Sequence, residues 1–378
     1  MKQPIYLDNA ATTPLDTRVL QAMLPFLSQQ SGFGNPSSPH FYGKAAKEAV
    51  EIARSQVAAL IHAEPSEIIF TSGATEAINL ALKGAAQLKN RKGRHIITMQ
   101  TEHKAVLDTC QYLEKEGYEV SYLAPQKNGE LLLSQLKEAI RADTILVSIM
   151  YVNNETGFVQ DINGIANETA SRQILFHVDA AQAAGKLPID VINTPIDLLS
   201  FTAHKIYGPK GSGALYLRKK PRVRVQPLLH GGGHEQGMRS GTLATHQIVG
   251  LGAACDIAQH QLVQDASHIT NRRDLFLQKI ADIPAIKINS DLSNSIANIV
   301  NIRFDGMIAD AVLAQLPEIA ASTASACQGS GAVGSYVLRA MGLSDAEIKS
   351  SVRISFGRFT TEEDILIATD AIGKLFAR

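Results

Sequence analysis

The spacing of apolar and polar positions changes period repeatedly along the chain. Ala46, Ala49, Val50, Ala53, Val57, Leu60 and Ile61 recur three or four residues apart, the stripe of an amphipathic helix. Strand-length apolar runs follow at Glu67–Phe70, His95–Met99, Val120–Leu123, Thr144–Met150, Ile174–Val178 and Leu198–Thr202. Helical stretches such as Ala105–Glu116 and Ser134–Arg141 separate most of them. This alternation predicts a mostly parallel sheet covered by helices on both faces, spanning residues 15–258. Beyond residue 258 the rhythm changes. Strand-like Ile299–Phe304 and Ser351–Phe356, a helix near Ala309–Gln315 and a last helix predict a smaller α/β domain built from residues 1–14 and 259–378. Between them lies a Ser-, Gly- and Ala-rich stretch at 322–334, read as a mobile loop. There is no internal repeat and no low-complexity linker.

Open α/β sheets bind ligands at the carboxyl ends of their strands. Polar clusters stand at those ends here. Thr71-Ser72-Gly73-Ala74-Thr75-Glu76 follows the first run and opens a helix, and Thr101-Glu102-His103-Lys104 follows the second. Val152-Asn153-Asn154-Glu155, then Asp179 with Gln182, then Thr202-Ala203-His204-Lys205 follow three more. The Ser72–Thr75 turn offers backbone N–H groups and hydroxyls at a helix start, suited to an anion. It is neither a P-loop nor a dinucleotide fingerprint, and by itself it is compatible with an ordinary capped helix.

Asp179 ends an apolar run and is expected to be buried, where a carboxylate needs a partner. Lys205 ends the next run, and an amine sheltered there can have a lowered pKa and form a Schiff base with an aldehyde. Singly, a cap and a surface lysine explain the two. Jointly they match the pairing of a Schiff-base lysine with an acidic pyridinium partner that marks pyridoxal 5′-phosphate (PLP) sites.

Composition narrows the picture. The chain has 378 residues, 45% apolar and 19% charged, with Lys+Arg and Asp+Glu balanced at 36 each. A formally neutral protein exerts no long-range pull on nucleic acid or anionic membrane, so neither is an expected partner. The start of the chain lacks a signal-peptide core, and the apolar stretch at Ile145–Val152 is far short of a membrane span, which makes the cytoplasm the expected location. Three cysteines without CxxC spacing argue against disulfides and zinc. Cys110 and Cys255 sit in apolar helical patterns and read as small buried hydrophobes. Cys327, in Ser325-Ala326-Cys327-Gln328-Gly329-Ser330-Gly331, has no such pattern, and a thiol on a mobile loop can travel between substrate and acceptor. His230-Gly231-Gly232-Gly233-His234-Glu235 resembles a metal motif but lacks a third spaced ligand. It reads as a glycine-rich turn, and no metal is expected. Arg218–Arg224 carries five positive charges in seven residues, either a solvated strand or a docking patch for an acidic partner.

The motifs carrying these residues fall in the order seen in the cysteine desulfurases of the IscS/NifS type, PLP enzymes of fold type I within aminotransferase class V. Tyr6-Leu7-Asp8-Asn9-Ala10-Ala11-Thr12-Thr13-Pro14, Phe33-Gly34-Asn35-Pro36-Ser37-Ser38, Phe70–Glu76, Thr101–His103, Val152–Gly157, His177–Gln182, His204–Gly211 and Arg239–Thr242 carry the resemblance, which runs from Tyr6 to about Thr361. It implies a large domain with a seven-stranded sheet, a homodimer, PLP as cofactor and L-cysteine as substrate. Lys205, Cys327 and His103 become the catalytic residues, with Cys327 the nucleophile and His103 also stacking over the ring. Asp179 is implied to pair with the pyridine nitrogen and Gln182 to bond the ring oxygen. Ala74, Thr75, Thr202 and His204 would surround the phosphate, with Thr242 reaching in from a second subunit. Asn154 and Arg353 would hold the substrate carboxylate, Asn154 also lying against the cofactor. The implied reaction turns L-cysteine into L-alanine, leaves a persulfide on Cys327 and passes its sulfur to an acceptor protein.

Two features depart from the family pattern. Gln328-Gly329-Ser330-Gly331-Ala332-Val333-Gly334 replaces the Ser/Leu/Glu/Pro-type sequence, and the chain stops at Arg378 without the longer tail of iron–sulfur members. Iron–sulfur assembly, tRNA thiolation and sulfur modification of DNA therefore all stand as destinations for the sulfur. The rival readings are a selenocysteine lyase or another class V PLP enzyme, and a non-catalytic sulfur-relay protein that kept the fold.

Overall fold

The computed structural model describes residues 3–29, 32–89, 92–323 and 334–376. Cys327 and most of the stretch read as a mobile loop lie outside the described residues.

Seven strands form the main sheet: β1 Ile68–Thr71, β2 His95–Met99, β3 Glu119–Leu123, β4 Thr144–Met150, β5 Leu175–Asp179, β6 Leu198–Thr202 and β7 Gly213–Leu217. Their order is β1-β7-β6-β5-β4-β2-β3, and only β7 runs against its two neighbours. The other six therefore deliver their carboxyl ends to one edge. All except edge strand β3 are buried along their whole length, as continuous apolar runs in a helix-covered sheet should be. Alternate residues serve opposite faces. Ile97, Val147, Phe176, Val178, Leu199 and Phe201 face a core containing Val50 and Val57 of the helix Phe41–Leu60. Ile96, Leu146, Leu175 and Leu198 face a core with Leu80 and Val106 of the helices Ala74–Lys89 and Lys104–Lys115.

A second, four-stranded antiparallel sheet has the order Ser322–Thr323, Ser351–Ser355, Ile299–Phe304, Ile286–Ile288. Its core holds Val300, Ile302, Val352, Ile354 and Phe356. The 36-residue helix Thr245–Ile280 joins the two cores, burying Leu251, Ala254 and Cys255 in the first and Ile269, Phe276 and Ile280 in the other. The N-terminal segment also crosses between them. Ile5–Tyr6 pairs with Ile319–Ala320, Asp8 bridges to Ser355, and Thr13 hydrogen-bonds the turn after β6. That crossing lets one residue of the small sheet, Arg353, reach the sheet edge where the polar clusters gather.

Candidate active site

A cavity of about 570 Å³ opens at the carboxyl ends of the parallel strands, and the residues singled out from sequence converge on it. Ala74, Thr75, His103, Asn154, Asp179, Gln182, Thr202, His204, Lys205 and Arg353 all line its wall. Thr242 does not line it; it is exposed on this chain. Nearby Arg239 pairs with Glu76 of the cavity wall at 2.8 Å.

Lys205 owes its position to a single 3₁₀ turn, Ala203–Lys205, that stops β6. The N-terminal segment locks this turn: Thr13 donates to the His204 carbonyl from N and Oγ1, and its Oγ1 accepts from Tyr207 N at 2.8 Å. Lys205 Nζ donates to the carbonyls of Ala10 and, at 2.7 Å, Ala11. Asp179 ends β5 and is 4% exposed, its Oδ1 accepting from Ala181 N at 2.9 Å. Burial pushes its pKa up, while His103, the Ala181 N–H and Lys205 act the other way. A protonated ring nitrogen placed against it would supply a counter-charge that burial makes valuable.

His103 caps the helix Lys104–Lys115, its Nδ1 accepting from Ala105 N at 3.1 Å. The ring proton is then on Nε2. Burial lowers the imidazole pKa; Asp179 raises it and Lys205 lowers it. His204, hydrogen-bonded through Nδ1 to Thr12 Oγ1 at 3.1 Å, is brought down to about 4 by burial and then by Lys205, Lys210 and Lys186. Both rings are therefore neutral near pH 7.

The helix Ala74–Lys89 begins at the cavity, with Ser72, Gly73 and Thr75 around its start, and Thr202, His204 and Lys210 line the same cavity. Gly213 allows this turn to sit against β7, because a Cβ there would meet Gly73 Cα at 2.6 Å. Backbone N–H groups, hydroxyls and a lysine so arranged suit a phosphate. Arg353, which also lines it, donates to the Asn154 carbonyl at 2.9 Å and pairs with Asp8 at 2.8 Å. Arg353 Nε and Asn154 Oδ1 are buried without a hydrogen-bond partner. Buried polar atoms are seldom left so, and the pair suits a polar ligand at this wall. An anion cradle, an amine and a buried carboxylate thus share one cavity, the donor set that a phosphorylated pyridine aldehyde requires.

A family model, aminotransferase class-V, matches residues 5–367. The chain belongs to that family. Among curated members it is 53% identical to the cysteine desulfurase IscS of Salmonella schwarzengrund, over all of this chain and 94% of that one. It is 54% identical to that of Shewanella woodyi, over 99% and 93% of the two chains. Among solved structures, a NifS-like protein superposes with a TM-score of 0.93 at 36% identity, covering 99% of this chain and 100% of the other. SspA in complex with cysteine gives 0.84 at 40% identity, over 94% and 99%.

Three residues bonded to or near the lining residues, but not themselves lining the cavity, were not assigned from sequence. Glu102 is wholly buried, accepts from Met150 N at 2.8 Å, and has its pKa driven well up by burial. Asp8, within a quoted motif, was given no role, yet it pairs with Arg353 and accepts from Ser322 Oγ at 2.8 Å. Lys186 holds Gln182. Glu102 and Asp8 share a partner far away in the chain, which no local pattern encodes.

The other motifs find structural work. Glu235 accepts from Arg54, at 2.8 Å to each oxygen, and from Phe70 N at 2.7 Å, tying the glycine-rich turn to β1. His234 bonds Ser37 Oγ at 3.2 Å. Arg218 is spent on the carbonyls of Ile196 and Thr194, whereas Lys220, Arg222 and Arg224 are exposed. Cys110 and Cys255 are fully buried, and burial pushes the Cys110 thiol up to about 12 and that of Cys255 higher.

Proposed function

We propose that this protein is a PLP-dependent cysteine desulfurase that converts L-cysteine to L-alanine and collects the sulfur on Cys327. The observation that carries the reading is the convergence of Lys205, Asp179, His103 and Arg353 on one cavity, in a member of a family whose similar curated proteins are cysteine desulfurases. Ala74, Thr75, Thr202 and His204 would hold the phosphate, Asp179 the ring nitrogen, Gln182 the ring oxygen, and Lys205 the aldehyde carbon. When bound, PLP supplies an electron sink for negative charge at the substrate α-carbon.

The protein's own groups do the rest. Arg353 and Asn154 orient the substrate carboxylate so that the α-hydrogen faces the Lys205 amine. Lys205 takes that proton and returns protons to carbon. His103, neutral and carrying its proton on Nε2, serves as a general acid toward the substrate. The Cys327 thiolate then attacks the substrate sulfur. An S–S bond forms, the C–S bond breaks, and its electron pair stays on carbon, which is protonated to give alanine. Cys327 is oxidised to a persulfide and the substrate carbon is reduced, so no external oxidant is needed. The attacking Cys327 must be a free thiol, the state in which the cytoplasm keeps cysteines. Among the described residues no helix is long and apolar enough to cross a membrane. Incubation of the PLP-loaded protein with L-cysteine and a thiol should yield alanine and sulfide in equal amounts. Sulfide without alanine would exclude the reading.

Asp179→Ala is expected to retain the fold and lose turnover by roughly 10²–10³-fold, the size of a buried charge left unpaired. The cofactor spectrum should change with it, because an unpaired ring nitrogen sheds its proton. Near wild-type alanine production with an unaltered spectrum would remove Asp179 from the mechanism.

A homodimer belongs to the same reading. Phe33, Phe41 and Tyr42 pack on one another yet remain exposed, a patch that a second subunit would cover. Thr242, exposed on its own chain, is the residue expected to complete the partner's phosphate site. Light scattering should report twice the 40.7 kDa chain mass. An active, PLP-loaded monomer would contradict it.

A further inference from the structure

Gln182 has an amide with two sides to satisfy, and it is 3% exposed. Its Nε2 donates to the Ala10 carbonyl at 2.8 Å. Its Oε1 accepts from Lys186 Nζ at 2.7 Å. A carbonyl can only accept, so Nε2 must lie toward Ala10 and Oε1 away from it. The far side then requires a donor, and a lysine amine donates whether charged or neutral. An amide nitrogen carries two N–H bonds. Ala10 takes one, and the other is left for the cavity that Gln182 lines.

Lys186 is an expensive choice for that donor. Burial, and after it the charges of Lys205 and Arg353, bring its pKa down to about 7. His204 also lies within electrostatic range. A partly buried lysine set among cationic side chains, with a neutral amide oxygen as its hydrogen-bond partner, gains little stability from its charge. Its evident effect is on the amide.

We infer that Lys186 is a positioning residue that fixes the amide of Gln182 and thereby the hydrogen bond offered to the cofactor's ring oxygen. The inference rests on the reading of the cavity as a PLP site. Removing the lysine leaves the Ala10 carbonyl as the one remaining hold on the amide, so the amide turns more often and the ring oxygen then faces an acceptor for part of the time.

Titration of the bound cofactor's visible absorption, without substrate, tests this. A donor at the ring oxygen favours its deprotonated form, so loss of the donor raises the midpoint. Lys186→Met is expected to raise it by about one pH unit, a tenfold change in proton affinity. Lys186→Arg should restore it. In a Gln182→Ala background Lys186→Met should add nothing. An unchanged midpoint in Lys186→Met overturns the inference, as does the same shift in both backgrounds, which would mean that the lysine acts by charge alone. If Gln182→Ala itself leaves the midpoint in place, the contact of Gln182 with the ring oxygen is what fails. Should Lys186→Met not fold, Lys186→Gln, which keeps a donor and removes the charge, decides. A midpoint near wild type then supports the inference, and a full-unit rise overturns it.

Discussion

Lys205→Ala is expected to give a folded protein that binds PLP only reversibly and turns over no cysteine. The proton-transfer role alone is worth about 10²–10⁴-fold, and loss of the covalent attachment adds to it. Folding should survive because the turn is held by backbone and Thr13 contacts, not by the amine. Lys205 Nζ gives hydrogen bonds to two carbonyls of the N-terminal segment, so a modest loss of stability, about 1–3 kcal/mol, is expected from acceptors left without a donor. Lys210 is the nearest alternative, since it lines the same cavity beside the helix start. Borohydride reduction of the wild-type protein followed by peptide mapping separates the two. A pyridoxyl label on Lys205 is the expected result, and one on Lys210 would overturn the assignment. Lys186, the third lysine nearby, faces Gln182 and is not among the lining residues of the main cavity.

The parts of the fold that could be read from sequence are those where burial is continuous. Strands β2, β4 and β6 have the predicted limits, because His95–Met99, Thr144–Met150 and Leu198–Thr202 are buried on both faces and each follows a charged residue, Arg94, Asp143 and Asp197. β1 is displaced by one residue from the expected Glu67–Phe70, since Glu67 belongs to the 3₁₀ turn that precedes it. β7 was missed. Its sequence Gly213-Ala214-Leu215-Tyr216-Leu217 directly follows a glycine-rich turn, and small residues at its start hide the strand that reverses direction in the sheet. The strands of two or three residues, such as Ile5–Tyr6 and Ile319–Ala320, carry too few positions to show a period. The helix Thr245–Ile280 joins two cores, and its buried positions thin out between Ala258 and Ile269, so no single apolar stripe announces its length.

The candidate site was legible for a related reason. Six co-directional strands bring their ends to one edge, so polar residues that follow apolar runs are gathered without any knowledge of the turns between them. Asp179 and Lys205, 26 residues apart, become neighbours because β5 and β6 are adjacent and parallel. What the pattern cannot encode is pairing across the fold. Asp8 and Arg353 are 345 residues apart and meet only because the N-terminal segment threads back to the small sheet. Gln182 was singled out at the end of a strand and given its role by the family motif, but the direction of its amide depends on Ala10 and Lys186, and no spacing rule reports that.

Cys327→Ser is the substitution expected to separate the sulfur step from everything before it. The segment Ser325–Gly331 has no apolar periodicity, so the stability change should stay within about 0.5 kcal/mol. Lys205, Asp179 and Arg353 are untouched, so PLP should load normally and cysteine should still perturb its spectrum. Transfer of sulfur should stop. Serine nearly matches cysteine in size, but its hydroxyl is a far poorer nucleophile at neutral pH, and it cannot hold sulfur as a persulfide. Alanine and sulfide are therefore expected at background, with no persulfide detectable by mass. The two buried thiols provide the opposite control. Cys110→Ser and Cys255→Ser should keep activity, because thiols whose pKa is raised by burial form no thiolate near neutrality. Each should lose about 1–3 kcal/mol of stability where a hydroxyl replaces a sulfur in an apolar core. Alanine formed by the Cys327→Ser protein at the wild-type rate would mean that the C–S bond breaks without a protein nucleophile. The chain would then be a direct lyase of the class V family, the reading that a selenocysteine substrate would favour.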